Sequence, residues 1–349
     1  MQRFLSAVVV CVLLMASLPS SAVSFSNIVV FGDSLSDTGN FFAATGNMVP
    51  NASYYDNGRF QNGPSYIESL AGSLGLAADH ALFGGTGTNF AVGGARSRYH
   101  VLDVDANGGI PPVGLVTPTP YSLRWQFDQF YAGLGDAALD PDALYVVWEG
   151  ANDIQDVLTL ASLGNLESAN VRLSEAVSDV ATEIARLVNA GAETLLVPLL
   201  PDLGLTPAVR SAGPSAQAAA RLFSNAFNNA LDAAIGGLTA DIVRFDTFAF
   251  LDEVVKHSAA FGFANTTDPC LTGFYVYQPI GGPITMCGTP DAFLFWDIVH
   301  PSARLHEILG TAMRYAVPEP ATLALLCLGI AGIGLQCRNQ IKTVVRLAV

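Results

Sequence analysis

The residues best suited to chemistry begin at Phe31-Gly32-Asp33-Ser34-Leu35-Ser36-Asp37-Thr38-Gly39-Asn40, directly after the apolar run Asn27-Ile28-Val29-Val30-Phe31. A serine on a glycine-containing turn after a buried strand can expose its hydroxyl and keep its own N–H free as a donor. Gly, Asp and Ser also dominate ordinary turns, so the triplet alone does not specify catalysis. A second set is Trp296-Asp297-Ile298-Val299-His300-Pro301. A nucleophilic serine needs a neutral imidazole to take its proton, and that imidazole needs a carboxylate to fix its tautomer. Asp297, three residues before His300, suits that role and leaves the other ring nitrogen for Ser34. Pro301 starts a helix readily and keeps His300 on a loop. Two further blocks, Asn89-Phe90-Ala91-Val92-Gly93-Gly94-Ala95 and Gly150-Ala151-Asn152-Asp153, offer a glycine N–H and an asparagine amide of the kind that holds an oxyanion. His80, His100, His257 and His306 have no comparable setting and read as structural or solvated.

These blocks need a scaffold that brings distant segments together. Besides 27–31, nearly continuous apolar runs occur at 143–148, 194–199 and 242–245, with a weaker one at 89–92. Such runs mark strands covered on both faces, as in a parallel sheet. Val171, Leu173, Val177, Val180, Ile184, Leu187 and Val188 recur at three- and four-residue spacing. They predict one amphipathic helix, ended by Gly191. Other helices are expected at Tyr66–Leu74, Leu123–Tyr131, Ser215–Leu231 and Ser302–Tyr315. Alternating strands and helices predict an α/β fold with helices on both faces of the sheet. Ligands in that architecture sit at the carboxyl ends of the strands, where every candidate block falls or from which a helix follows.

The ends of the chain read differently from its body. Met1-Gln2-Arg3, the apolar stretch Phe4–Leu18 and Pro19-Ser20-Ser21-Ala22 predict a signal peptide over residues 1–22, cleaved after Ala22. Ala321–Cys337 carries no charge and is followed by Arg338, Lys342 and Arg346, a stop-transfer pattern at the short limit of a membrane span. Setting aside Arg3, Arg338, Lys342 and Arg346 leaves 12 basic residues against 30 acidic ones over residues 23–320. A body so acidic is poorly suited to nucleic acid or an anionic membrane surface and is kept soluble by its charge. Cys270 and Cys287 are the two cysteines of the body, which in an exported chain suggests one disulfide. No repeat, charge block or Pro-rich linker divides residues 23–316, which read as one domain, with 317–349 as a tail.

Taken together, Gly-Asp-Ser-Leu-Ser at 32–36, Gly94, Gly-x-Asn-Asp at 150–153 and Asp-x-x-His-Pro at 297–301 resemble the four blocks of the GDSL or SGNH hydrolases. Arg59-Phe60-Gln61-Asn62-Gly63-Pro64 is similar to a segment of the lipase-like branch. The resemblance implies a flavodoxin-like three-layer α/β/α sandwich around a five-stranded parallel sheet. It also implies a triad of Ser34, Asp297 and His300, with the Ser34 N–H, Gly94 and Asn152 as oxyanion donors; Gly93 is the alternative to Gly94. The implied activity is hydrolysis of carboxylic esters through an acyl-enzyme, as an esterase or lipase, or else as an O-acetyl esterase on exported polysaccharide. No metal or organic cofactor is implied. Val317-Pro318-Glu319-Pro320, the apolar run and Arg338 resemble the PEP-CTERM sorting signal, although residues 339–349 extend beyond its usual short basic end. That resemblance implies signal peptidase and an exosortase-type enzyme as partners. It places the protein in the periplasm, on the outer surface or in the extracellular matrix of a Gram-negative bacterium, transiently membrane-anchored.

Two other readings stay open on the residues. Asp33, Asp37, Asp153 and His300 form a carboxylate-rich set that a divalent ion could bridge in a phosphoesterase, and a non-catalytic surface or matrix protein would suit the Gly/Ala-rich composition. Substrate choice is expected to lie in the loops 41–60, 97–120 and 256–292.

Overall fold

The apolar runs become four parallel strands, β1 (Ile28–Gly32), β2 (Leu144–Trp148), β3 (Thr194–Pro198) and β4 (Asp241–Phe245), in the order β1-β2-β3-β4. This computed structural model describes residues 25–98, 121–276 and 278–317. The expected signal peptide, His100, most of the loop 97–120 and the tail from Pro318 lie outside them. Ser26–Val317 group as one compact unit.

The helices, in chain order, are α1 (Asn40–Ala44), α2 (Tyr66–Ser73), α3 (Leu123–Leu134), α4 (Ala151–Ser162), α5 (Leu166–Asn189), α6 (Pro207–Ser211), α7 (Pro214–Ile235), α8 (Thr247–Lys256) and α9 (Ala303–Ala316). Strand residues alternate between faces, and both faces of β1, β2 and β3 are buried. Val29, Phe31, Tyr145, Val147, Leu195 and Val197 share a core with Phe127 of α3, Ile154 of α4, Ile184 of α5 and Phe227 of α7. Ile28, Val30, Leu144, Val146 and Leu196 are buried on the opposite side, where α2 and α9 pack together. The Trp148 ring meets Tyr66 of α2 edge-on at 4.9 Å. The arrangement is a three-layer α/β/α sandwich.

Two expectations change on contact with the structure. The run 89–92 lies along the outer side of β1, through Val30 N–H to Thr88 O, Phe90 N–H to Val30 O and Val92 N–H to Gly32 O. Its pairing with β1 is an isolated bridge between Val30 and Asn89, so the regular sheet has four strands where five were expected. The side chain of Asn89 explains the irregularity: it donates to Ser36 O at 2.7 Å and accepts from Ala91 N–H at 3.0 Å. These bonds tie the run to the turn after β1. The strand β4 is apolar in pattern yet lies at an edge and is only half buried. Helix α5 runs well N-terminal of its expected stripe, capped by Asn165 and ended at Ala190 and Gly191.

Beyond β4 the chain leaves the main sheet. Strands β5 (Asn265–Pro269) and β10 (Phe293–Phe295) pair in parallel as a separate two-stranded sheet. Between them lie the short pairs β6 (Leu271–Thr272) with β9 (Thr285–Met286) and β7 (Phe274–Tyr275) with β8 (Gln278–Pro279). Cys270 and Cys287 are joined by a disulfide, closing this hairpin region.

Candidate active site

Ser34 sits two residues after β1, on a turn fastened by backbone and side-chain bonds. Ser36 N–H and Asp37 N–H donate to Asp33 O at 3.1 and 3.0 Å, and Leu35 N–H donates to Asp33 Oδ1 at 2.9 Å. Gln126 of α3 clasps the last residue of β1, accepting from Gly32 N–H at 3.0 Å and donating to Gly32 O at 2.8 Å. Asp37 accepts four backbone N–H groups, from Gly39, Asn40, Phe41 and Gly93. One carboxylate thus binds the Ser34 turn, the start of α1 and the glycine block into a single unit.

His300 approaches from the other side. Its Nε2 lies 2.9 Å from Ser34 Oγ, and its Nδ1 lies 2.8 Å from Asp297 Oδ2. Asp297 Oδ1 accepts the N–H groups of Val299 and His300 at 2.8 and 2.7 Å, so the loop folds around its own carboxylate. Trp296 N–H donates to His300 O at 2.8 Å and closes that loop. The imidazole is flanked by Phe60, with ring centres 5.3 Å apart, and by Tyr275, stacked at 5.8 Å and 12°. Asp297 is fully buried and His300 nearly so. An imidazole held at both nitrogens, with carboxylate on one and hydroxyl on the other, is the geometry of general-base activation of a serine.

The oxyanion candidates converge beside Ser34. Gly93 N–H is committed to Asp37 Oδ2 at 2.8 Å, whereas among the described residues Gly94 N–H and Ser34 N–H have no acceptor. A Cβ on Gly93 would come within 2.0 Å of the Phe60 ring, so only glycine admits the ring that also flanks His300. Asn152 enters from the first turn of α4 and donates one amide hydrogen to Ala95 O at 2.8 Å, which fixes the amide and leaves its other hydrogen. The turn before it uses Gly150 at φ +122°, where a Cβ would strike Phe227 at 2.6 Å.

The acidic residues beneath the turn have separate occupations. Asp153 accepts Ser97 N–H and Oγ–H and pairs with Arg172 at 2.7 Å, while Arg96 grips Asp156 with two nitrogens at 2.7 and 2.8 Å. Burial pushes the Asp33 and Asp37 carboxyls up to about 6 and raises Glu149 well above its usual range, with Asp33 and Asp153 adding repulsion. With the oxygens of Asp37 and Asp153 committed to amides, a hydroxyl and arginine, these carboxylates do not present a cation-binding set, contrary to the phosphoesterase reading.

The other described histidines, His80, His257 and His306, stand apart from Ser34. His306 is buried on α9, accepts Tyr66 N–H on Nδ1 at 3.1 Å and is pushed down to about 3 by burial. His257 pairs with Glu253 at the surface, and the backbone of His80 bridges Asn89. The block 59–64 has a positional role: Asn62 Oδ1 accepts Ala303 N–H at 2.8 Å, and Arg59 pairs with Glu68 of the Ser65 capping box. That anchors Phe60 beside His300 and ties α2 to the start of α9. Sequence reasoning passed over Tyr55, whose hydroxyl reaches Asp297 Oδ2 at 2.8 Å. The nearest signal was its place four residues before the flagged Arg59 block.

An apolar pocket opens at Ser34 and His300. Its lining includes Trp148 at the end of β2, Phe250 and Leu251 of α8, Phe295 of β10, and Leu305 and Leu309 of α9.

Comparison with known proteins identifies the family. A family model for GDSL-like lipase/acylhydrolase matches residues 28–313, and one for the PEP-CTERM protein-sorting motif matches residues 316–339. The chain is 28% identical to phosphatidylcholine-sterol acyltransferase of Aeromonas hydrophila, covering 86% of this chain and 94% of that protein. It is 30% identical to esterase EstA of Pseudomonas aeruginosa over 90% of this chain but only 50% of that protein, so it spans about half the length of some of its relatives. The acetylxylan esterase Axe2 of Geobacillus stearothermophilus superposes with a TM-score of 0.43 at 17% identity, over 84% of this chain and 95% of that one. The sorting motif indicates export and surface sorting in a Gram-negative bacterium. Among the described residues no helix is long and apolar enough to cross a membrane, and the apolar run 321–337 lies outside them. The chain belongs to the GDSL-like lipase/acylhydrolase family and is a carboxylic ester hydrolase.

Proposed function

We propose that this GDSL-like acylhydrolase cleaves its ester through Ser34, with His300 as base and Asp297 as the partner that orients it. His300 Nε2 takes the Ser34 proton as Oγ attacks the ester carbonyl. Negative charge on the carbonyl oxygen is received by the N–H groups of Ser34 and Gly94 and by the Asn152 amide. Protonated His300 then delivers its proton to the departing alcohol, and water, activated by the same imidazole, releases the acid from Ser34. The observation that carries this reading is the unbroken line Asp297–His300–Ser34, at 2.8 and 2.9 Å. Gly94 is favoured over Gly93 because Gly93 N–H is bound to Asp37.

The apolar side chains that line the pocket, Phe250, Leu251, Phe295, Leu305 and Leu309 among them, favour an ester with an apolar acyl chain over an acetyl group. Each methylene buried there is worth about 0.8 kcal/mol, or about fourfold in kcat/KM. Hydrolysis of p-nitrophenyl esters from acetate to dodecanoate, beside acetylated polysaccharide and with Ser34→Ala as control, tests both statements. We expect kcat/KM to rise with chain length until the pocket is filled, and Ser34→Ala to be inactive. A preference for acetate would return the O-acetyl esterase reading, and undiminished activity in Ser34→Ala would remove the nucleophile. In the cell, the chain is exported by signal peptidase processing after Ala22. It is held by its apolar tail until an exosortase-type enzyme acts at Pro318-Glu319-Pro320.

A further inference from the structure

Asp297 Oδ2 accepts two hydrogen bonds, and general-base catalysis requires only one of them. His300 Nδ1 is at 2.8 Å and Tyr55 Oη is also at 2.8 Å. The Tyr55 oxygen in turn accepts Val276 N–H at 2.9 Å. Tyr55 is buried, and burial together with the neighbouring Asp297 charge holds its phenol far above its ordinary range, so it remains a donor at every pH the enzyme meets. Val276 belongs to the segment closed by the Cys270–Cys287 disulfide and follows Tyr275, whose ring stacks on His300. Tyr55 itself packs with Cys270, Leu271, Phe274 and Trp296. The phenol is therefore aimed by the disulfide-closed loop on one side and ends on the triad carboxylate on the other.

We propose that Tyr55 is a positioning residue of the triad, which holds the Asp297 carboxylate in register with His300 and sets the basicity of that imidazole. The proposal rests on the reading of Ser34, Asp297 and His300 given above. Two donors on one carboxylate oxygen share its charge, so withdrawing the phenol concentrates charge on the bond to His300. That favours the imidazolium and makes His300 protonate at higher pH. The other titratable groups facing the pair are Asp33 beside the nucleophile, His306 on α9 and Tyr275 on the hairpin.

The test is kcat/KM against pH for the full-length enzyme on p-nitrophenyl butyrate, with Tyr55→Phe and with 3-fluorotyrosine placed at position 55. Tyr55→Phe is expected to lower kcat about 10- to 100-fold, the range for a hydrogen bond to a charged group, with KM little changed and the acid limb moved to higher pH. The fluorinated phenol is more acidic and a stronger donor, and should move the acid limb the opposite way. A contact that only stabilises the fold would not produce shifts of opposite sign. An acid limb unmoved by either replacement overturns the proposal, and if Tyr55→Phe does not fold, the fluorotyrosine profile alone decides. Persistent activity in Ser34→Ala would instead mark failure of the underlying triad.

Discussion

The two halves of the proposed active site are built in different ways. The nucleophile half, residues 32–41 with 89–95 and 149–153, hangs directly from the carboxyl ends of β1 and β2. It is knitted together by backbone amides on Asp37 and by the Asn40 and Asn89 side chains. The base half, Asp297 to His300, stands outside the main sheet on a loop after β10. It is held by Trp296 N–H on His300 O, by Tyr55, and by a hairpin closed through Cys270–Cys287. The first half inherits rigidity from the core of the domain, whereas the second depends on local fastenings that can be undone one at a time. The Ser34 hydroxyl and the His300 imidazole join the two at 2.9 Å.

The largest effect should come from the base half. Asp297→Asn keeps the volume but favours the wrong imidazole tautomer, and kcat is expected to fall by about 10⁴ while the circular dichroism spectrum stays that of a folded protein. In the nucleophile half, Asn152→Ala removes one oxyanion donor and should lower kcat by about 10² to 10³ with little change in KM. Equal losses from these two substitutions would erase the contrast between base and donor.

Breaking the disulfide with Cys270→Ser and Cys287→Ser tests the local fastening. Unfolding should become easier by about 3 kcal/mol in denaturant titration, as for a loop of this length. Proteolysis during partial opening should begin near residues 270–287 and leave the β1 turn protected. Simultaneous exposure of both halves would show that they unfold as one.

The smallest effect concerns Asp33. Burial raises its carboxyl from 3.8 to about 6, so its protonated form is the one the fold favours. The stability it contributes is fully present below pH 3.8 and is lost as pH rises through about 6. Asp33→Asn cannot ionise and should remove that loss, at most about 3 kcal/mol for a shift of this size. Thermal melts at pH 4 and pH 8 would then differ less in the variant than in the wild type. An unchanged difference would place the pH dependence elsewhere, with Asp37 or Glu149 the next groups to replace.

Much of this site was legible from local spacing. The triplet around Ser34, the glycine pair, Asn152 and the Asp-x-x-His pair each lie in one short segment, and each follows a strand or precedes a helix whose periodicity can be read directly. What remained hidden were contacts between segments that carry no shared pattern. Asp37, which looked like one more acidic residue available to a metal, spends its carboxylate on amides from positions 39–41 and 93. Tyr55 gives no sign of reaching Asp297, because a sequence separation of 242 is spanned by the fold and by no periodicity. The fifth strand was misjudged for a related reason: Phe90 and Val92 have strand-like side chains, but Asn89 diverts the backbone to bind the turn after β1.

By itself the sequence determined the α/β alternation, the residue types at each strand end and the pairing of the two body cysteines. Those follow from local propensity, side-chain period and the chemistry of single residues. Only the tertiary structure decided that Gly93 N–H is spent and Gly94 N–H is not, and that Asp37 is a scaffold and not a ligand. It also decided that a tyrosine and a disulfide-closed loop stand behind the Asp297 carboxylate. A hydrogen bond depends on distances of a few tenths of an ångström between atoms far apart along the chain, and those distances exist only once the layers have packed.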